Sequence, residues 1–272
     1  MRWVSFTQRN LRRMSLRPPM TLRWLGLAVI SLPAAGCGAQ HATPIVIFLD
    51  GAGHFGYAGK VKRGLRQGGY EGRFEEFGWS SFLAPVDHLL IARAGGRAAA
   101  LARKIERIRE SDPEGPIHLI GLSAGTAVLA AALEQLNDGV MVDNVVLLSS
   151  SISARRDLRR VLGHVRGHLY VTVSLRDRML AVMSVNADGG PGPPAGRTGV
   201  LTPRALDRSD RTPYRKVVNL PWRPAYAGFG WNGGHTGVTS PKFIEAVLLP
   251  RLRSNELFPL DRPLYREPNE SS

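Results

Sequence analysis

The feature that most constrains the fold is an alternation of short aliphatic runs with helical segments, which continues from Pro44 to Leu252. The aliphatic runs have the length of buried strands, and the segments between them carry apolar residues at the three-and-four spacing of amphipathic helices. Strands that alternate with helices are typical of a parallel sheet covered by helices. The predicted fold class is therefore α/β, with a mostly parallel central sheet and helices on both faces.

The pattern also predicts where the elements lie. We predict strands over residues 45–49, 69–77, 116–122, 144–148, 168–175 and 214–220. Helices are predicted over residues 60–67, 96–109, 123–136, 154–164 and 241–252. Residues 186–199 are rich in Gly and Pro and are expected to form a loop, while residues 179–213 as a whole either cover the site as a lid or lie on the surface. The folded domain is expected over residues 44–254, followed by a polar C-terminal tail over residues 255–272.

The first 36 residues differ from the rest of the chain. They hold six arginines, no acidic residue and an apolar run of nine residues from Trp24 to Leu32. A basic segment followed by a short apolar run is typical of a secretory signal peptide. The run is too short to cross a bilayer, which needs about 20 apolar residues. We predict that residues 1–36 are a signal peptide that directs export, with the true start at Met14 or Met20.

Residues 32–38 resemble the lipobox of bacterial lipoproteins, in which small residues precede a cysteine that becomes lipidated after cleavage. Cys37 is the only cysteine of the chain, so an intramolecular disulfide cannot form. The resemblance implies a lipid anchor on Cys37, a tether over residues 37–43 and a location on the periplasmic or cell-surface side of the cell membrane or outer membrane. The alternative is a free thiol that follows an ordinary cleavage site.

The net charge of the chain is +14, of which +6 comes from the six arginines of the predicted signal peptide and +8 from the remaining residues. The other arginines are scattered, and most have the spacing of solvated helix faces. A basic surface can attract anionic lipids or polyanions. We expect no nucleic-acid partner, because the charge is not concentrated in one segment.

A serine between two glycines marks the candidate reaction centre. Ser123 lies between Gly121 and Gly125, directly after a predicted strand and before a predicted helix. Such a turn is sharp enough to expose the serine at the end of the strand, and glycines leave room where side chains would collide. The positive end of the following helix and the N–H of Ala124 face any negative charge that develops there. The motif predicts a nucleophile elbow.

With this motif, the chain resembles the α/β-hydrolase family of serine esterases and lipases from about residue 44 to residue 252. The resemblance implies a triad in the chain order serine, acid, histidine, with the acid after a late strand and the histidine after the last strand. Ser123 fits the nucleophile, Asp177 the acid and His235 the base. Asp188 is the alternative acid, and His54 is the alternative histidine.

The loop after the first strand, Asp50-Gly51-Ala52-Gly53, resembles the oxyanion loop of the same family. The N–H of Ala52 and the N–H of Ala124 are the implied oxyanion donors, and the two glycines let the backbone approach the substrate. Asp50 stands where many lipases have a histidine, so the loop does not imply a lipase in particular.

The sequence predicts no metal and no cofactor, because no histidines or carboxylates have ligand spacing and the glycine loop lacks the third glycine of a dinucleotide site. The predicted function is hydrolysis of a small-molecule or lipid carboxylic ester through an acyl-enzyme intermediate. An acyltransferase or thioesterase would use the same triad. A non-catalytic, membrane-anchored lipoprotein that keeps the fold as a binding or structural module is the alternative from another class. The oligomeric state stays open.

Overall fold

The computed structural model describes residues 42–53, 56–80, 95–183, 185–203, 210–254, 257–259 and 261–264. These residues belong to one compact unit, residues 41–272. The predicted signal peptide, Cys37 and the alternative histidine His54 lie outside the described residues.

Seven strands of the described residues form one sheet in the order β2-β1-β3-β4-β5-β6-β7. They are β1 Ile45–Leu49, β2 Arg73–Glu76, β3 Ile117–Leu122, β4 Asn144–Leu148, β5 Leu169–Val173, β6 Val217–Pro221 and β7 Arg262–Pro263. Strands β1 to β6 run parallel, and β7 pairs antiparallel with β6. The mostly parallel sheet confirms the predicted class, and with its helices it has the architecture of an α/β-hydrolase fold.

Helices cover both faces of the sheet, as predicted. On one face, α1 Ala58–Gln67 packs with the C-terminal helical segment against the side chains of Val46 and Phe48. On the other face, α2 Gly95–Ser111, α3 Gly125–Leu133 and α4 Arg159–Gly163 pack against Ile45, Ile47 and Leu49. Because the central strands are buried on both faces, their sequences are continuously aliphatic rather than alternating.

The C-terminal helical segment is not one regular helix, although residues 241–252 were expected to form one. It consists of α7 Pro241–Phe243, a π-helical turn Ile244–Leu248 and α8 Leu249–Arg253. Two short helices, α5 Arg178–Val182 and α6 Ala195–Thr198, precede it in the chain. Pro250 has no N–H to donate to the preceding turn, and a π turn accommodates such a break. Beyond it, Arg251 and Asp261 form a buried ion pair next to β7.

Two other predicted elements are less than half as long as expected. The helix predicted over residues 154–164 is limited to α4. The Ala154 N–H instead donates to Pro193 O at 2.9 Å, and Ala154 O accepts from the Leu201 N–H at 2.7 Å. The strand predicted over residues 69–77 is limited to β2, because the chain is still completing the turn after α1, where the Tyr70 N–H donates to Leu65 O at 2.9 Å.

The Gly- and Pro-rich segment over residues 186–199 is mostly irregular, as predicted, and ends in α6. It is fastened to the chain that follows β4, since the Ala187 N–H donates to Ser151 O and the Gly196 N–H donates to Ser150 O, at 2.9 and 2.8 Å. Ala195 is fully buried. This segment is thus a packed part of the domain at the carboxyl edge of the sheet.

A helix that crosses a bilayer must be both long and apolar, and the helices of the described residues can be judged by these two properties. None of them is both long enough and apolar enough to span a membrane.

Candidate active site

Three loops at the carboxyl edge of the sheet carry the predicted site residues. Ser123 follows β3, Asp177 follows β5 and His235 lies in the chain after β6. Because these strands are parallel, their carboxyl ends meet at one edge, where α/β sheets commonly bind ligands. Residues separated by more than a hundred positions in the sequence are thereby brought together.

The three side chains form one hydrogen-bonded chain. Ser123 Oγ lies 2.9 Å from His235 Nε2, and His235 Nδ1 lies 2.7 Å from Asp177 Oδ2. The side chain of His235 is 8% exposed and that of Asp177 is 1% exposed. The carboxylate accepts from Nδ1–H, which leaves Nε2 free to accept the proton of the serine hydroxyl. The arrangement has the geometry of a nucleophile, a base and a group that orients the base.

The turn at Ser123 is strained in the way that a nucleophile elbow requires. Ser123 has a φ of 51°, which is rare for a residue with a side chain, and its N–H donates to Leu148 O at 2.9 Å. At Gly125, an added Cβ would lie 2.8 Å from Leu49 O and closer still to Asp50 O. At Gly121, it would lie 3.1 Å from Thr126 Cα. Both glycines are therefore needed for close approach of the backbone.

Asp177 is fixed by two partners. It is the N-cap of α5, where its Oδ1 accepts from the Leu180 N–H at 3.0 Å while Oδ2 binds His235. An N-cap carboxylate compensates unpaired N–H groups at the start of a helix. The start of α5 thus holds the carboxylate at the distance that the histidine requires.

Asp50 organises the loop that resembles an oxyanion loop. Its carboxylate accepts from the N–H groups of Gly51, Gly56 and Tyr57 at 2.7, 3.0 and 3.0 Å, and its carbonyl accepts from Trp79 Nε1 at 2.7 Å. A histidine could not accept three such bonds. The departure from the lipase pattern at this position therefore has a structural role.

The same loop lies against the nucleophile. An added Cβ at Gly51 would be 3.5 Å from Ser123 Cβ. In the part of the chain that the structure describes, the N–H groups of Ala52 and Ala124 donate to no acceptor. Ala124 also immediately precedes α3, whose N-terminus favours negative charge. Within the described residues, both N–H groups thus lack an acceptor, and that of Ala124 is adjacent to Ser123 in the chain.

Two serines that the sequence analysis did not identify hold the histidine loop. Ser149 Oγ donates to His235 O and Ser174 Oγ donates to Gly233 O, both at 2.7 Å. Ser149 has a φ of 41° and its N–H donates to Thr172 Oγ1 at 2.9 Å. The signal for Ser149 is its place in a run of serines directly after a buried strand, where polar residues line the carboxyl edge.

Two tryptophans hold the same loop from its other side. Trp231 is 1% exposed and packs against Phe243, with ring centroids 4.9 Å apart. Its Nε1 donates to Gly234 O at 3.1 Å, and Trp222 Nε1 donates to Trp231 O at 2.8 Å. The carbonyl of His235 and several carbonyls just before it in the chain are therefore fixed, which limits rotation of the imidazole away from Ser123.

The alternative acid lies in another network. Asp188 accepts from the Ser153 N–H at 3.0 Å and pairs with Arg156 at 3.1 Å. Its side chain ties the segment over residues 186–199 to the chain after β4. The structure thus brings Asp177, rather than Asp188, to His235.

The titratable side chains of the described residues form no metal centre of three or more ligands. Among them, no group of three or more His, Cys, Asp and Glu side chains is arranged to hold a metal ion.

Comparisons with known proteins give fold neighbours only. The chain matches no protein-family model and no curated protein sequence. Among solved structures, it is similar to a cutinase-like protein from Cryptococcus sp., with 13% identity, coverage of 78% of this chain and 93% of that chain, and a TM-score of 0.41. It is also similar to an esterase from Pyrococcus furiosus, with 11% identity, coverage of 78% and 80%, and a TM-score of 0.42. A thioesterase domain of the nocardicin cluster has 16% identity, coverage of 76% and 93%, and a TM-score of 0.39. The function is therefore argued from the residues of this chain.

Proposed function

We propose that this protein is a serine hydrolase that cleaves carboxylic esters with Ser123 as nucleophile, His235 as base and Asp177 as the acid that orients the base. The single observation that carries the proposal is the continuous chain of hydrogen bonds, 2.9 Å from Ser123 to His235 and 2.7 Å from His235 to Asp177. A serine is a weak nucleophile until a neighbouring base takes its proton.

In the proposed reaction, His235 Nε2 takes the proton of Ser123 Oγ as the oxygen attacks the ester carbonyl. The carbonyl oxygen becomes an oxyanion, which the N–H groups of Ala52 and Ala124 stabilise. Asp177 stabilises the imidazolium, which then gives its proton to the leaving alkoxide as the carbon–oxygen bond breaks. Water, deprotonated by His235, attacks the acyl-enzyme and releases the acid and the free serine.

The same residues would also support acyl transfer to an alcohol or hydrolysis of a thioester, which differ in the leaving group or in the attacking nucleophile. A non-catalytic module of the same fold is the alternative from a different class. Such a module has no need for a strained serine whose hydroxyl bonds a histidine, and this argument favours catalysis.

The test is labelling of the purified chain with a fluorophosphonate, which reacts with activated serines. We expect one adduct on Ser123 in the wild type, none in Ser123→Ala and a strong loss of labelling in His235→Ala. Ser111→Ala, which removes a serine at the end of α2, is the matched control and should label like the wild type. Circular dichroism of each variant checks the fold. A folded wild type without an adduct would support the non-catalytic module instead.

We also propose that the protein is exported and lipid-anchored through Cys37. The proposal is supported by the basic segment, the short apolar run and the small residues before the cysteine. In a bacterial host fed an alkyne-tagged fatty acid, the wild type should become tagged and Cys37→Ser should not. Export of an untagged wild type would support the free-thiol alternative.

A further inference from the structure

A groove of about 580 Å³ opens directly beside His235. Its walls come from the end of β5, from α5 and from the histidine loop, and they include Leu175, Arg176, Arg178 and Met179. The proposed mechanism uses none of these four side chains. Because the groove ends at the base, a molecule lying in it would be in contact with the reaction centre.

The two arginines of the groove have no carboxylate partner among the described residues. Arg156 and Arg159 each pair with two carboxylates, whereas no carboxylate among the described residues pairs with Arg176 or Arg178. Both are exposed. The guanidinium of Arg176 lies 4.0 Å from the ring centroid of Trp222, which restrains its position. The groove therefore has two cationic side chains available to a ligand.

The carboxylate between these arginines does not neutralise them from within the groove. Asp177 is buried, and its two oxygens are engaged by His235 and by the Leu180 N–H. Arg176 and Arg178, its neighbours in the chain, are both exposed. An anionic group entering the groove would be attracted by both guanidinium groups, and planar guanidinium groups are well suited to carboxylates and phosphates.

An apolar strip continues from the same groove. Leu175, Met179, Val182 and Val185 are 72, 55, 82 and 64% exposed. Of the five residues of α5, only Leu180 is buried. Large exposed apolar side chains that lie together typically mark a binding surface. Leu175 and Met179 line the groove, Val182 lies one helical turn after Met179 in α5, and Val185 follows α5 in the chain; these four residues are called the apolar strip.

We propose that Arg176 and Arg178 bind an anionic group of the substrate and that the apolar strip supports its hydrocarbon chain. The substrate class is then an ester that carries a negative charge and an extended apolar chain. This inference rests on the proposed function, because it identifies the kind of ester that Ser123 attacks.

The anionic part is tested with two esters of nearly equal size, 4-(butanoyloxy)benzoate and its neutral methyl ester. The carboxylate of the first lies across the ring from the ester, so it cannot assist its own hydrolysis. The ratio of kcat/KM for the anionic ester to that for the neutral ester should fall about fivefold in the double variant Arg176→Gln/Arg178→Gln, since exposed charge pairs contribute up to about 1 kcal/mol each. About 0.5 M NaCl should lower the ratio of the wild type in the same direction.

The matched control is Arg103→Gln/Arg107→Gln, which removes the same charge from exposed positions on α2. Its ratio should equal that of the wild type. An unchanged ratio in the groove variant, or an equal fall in the control, would overturn the anion subsite. Hydrolysis of both esters without any preference would overturn this inference alone, whereas a folded wild type that cleaves neither ester would overturn the proposed function with it.

The apolar strip is tested by chain length, with 4-(decanoyloxy)benzoate against 4-(butanoyloxy)benzoate below the concentration at which either aggregates. The double variant Val182→Ser/Val185→Ser should lower the preference for the decanoyl ester over the butanoyl ester about fivefold. Burial of even one methylene group of the acyl chain contributes about 0.8 kcal/mol. Leu257→Ser, which removes an exposed leucine from another part of the surface, is the control. The same preference in all three proteins would overturn the role of the strip.

Discussion

The carboxyl edge of the sheet, where the parallel strands end, and the amino edge, where they begin, each have a cavity and a buried histidine. The two edges differ in the hydrogen bonds that the histidine makes. At the carboxyl edge, His235 binds a serine on one nitrogen and a carboxylate on the other. At the amino edge, His118 lines a cavity of about 540 Å³, and its Nδ1 has no hydrogen-bond partner in the described part of the chain. Size and concavity are nearly the same at the two edges.

Electrostatics separates the two edges further. Burial of His118 lowers its pKa to about 4, and the nearby Asp143 offsets only part of this effect. The carboxylate of Asp143 is engaged elsewhere, since it accepts from the Ile117 N–H at 2.7 Å and pairs with Arg109 at 3.5 Å. A cavity with a buried histidine therefore becomes a candidate reaction centre only when a nucleophile and an orienting acid complete the chain of hydrogen bonds.

The largest expected effect comes from removing the charge that orients His235. Asp177→Asn keeps a side chain that can cap α5, so the fold should persist, but an amide can donate to Nδ1 and favour the wrong tautomer. We expect kcat for the neutral ester to fall by about 10⁴. Asp188→Asn, in the network of Arg156, is the control and should stay within about twofold of the wild type. A loss below tenfold in Asp177→Asn would contradict the proposed role.

The second largest expected effect is a loss of stability at the nucleophile turn. Gly125→Ala places a methyl group against the carbonyls at the end of β1, so the chain must shift or strain. We expect the free energy of unfolding to fall by about 3 kcal/mol in urea denaturation, as for overpacked core sites. Gly59→Ala lies in α1 with nothing within 4 Å of the new methyl group, and should be neutral or slightly stabilising. Equal stability of the two variants would show that the close approach at Gly125 is not required.

Part of the fold and of the candidate site could be predicted from the sequence. Short aliphatic runs such as Ile45–Leu49 and Asn144–Leu148 were located to the residue, because strands buried on both faces leave an uninterrupted signal. The glycine-flanked motif indicated Ser123, and the resemblance to the α/β-hydrolase family implied Asp177 and His235. Each follows a strand of the parallel sheet, which brings such positions together. The prediction depended on chain order and not on any contact visible in the sequence.

Features that depend on long-range contacts were not predictable in the same way. The role of Asp50 depends on three N–H groups that point to one carboxylate only in the folded loop. The shortening of the helix at residues 154–164 depends on pairing with Pro193 and Leu201, about forty residues away along the chain. Helix periodicity is a local signal, and tertiary hydrogen bonds override it.

At the amino edge, His118 should make the free energy of unfolding depend on pH. Because burial lowers the pKa of His118 to about 4 in the folded protein from 6.5, the unfolded chain binds the proton more readily between these values. Stability contributed by neutral His118 is therefore complete above pH 6.5 and is lost as the pH falls toward 4. Between pH 7 and pH 5 the loss should be about 2 kcal/mol. Urea denaturation at both pH values should show this loss in the wild type and a smaller one in His118→Gln; equal losses would show that another group is responsible.

The smallest expected effect concerns how firmly the histidine loop is held. Ser149→Ala removes the hydrogen bond to His235 O while leaving Ser123 and Asp177 in place. A hydrogen bond of this kind contributes about 1 kcal/mol, so kcat/KM for the neutral ester should fall about fivefold. Ser111→Ala removes a comparable bond from serine to a carbonyl, to Ile108 O at 3.0 Å, and should leave kcat/KM unchanged. If Ser149→Ala also leaves kcat/KM unchanged, the tryptophans and Ser174 hold the loop without Ser149, and the position of His235 at the carboxyl edge does not depend on the Ser149 hydrogen bond.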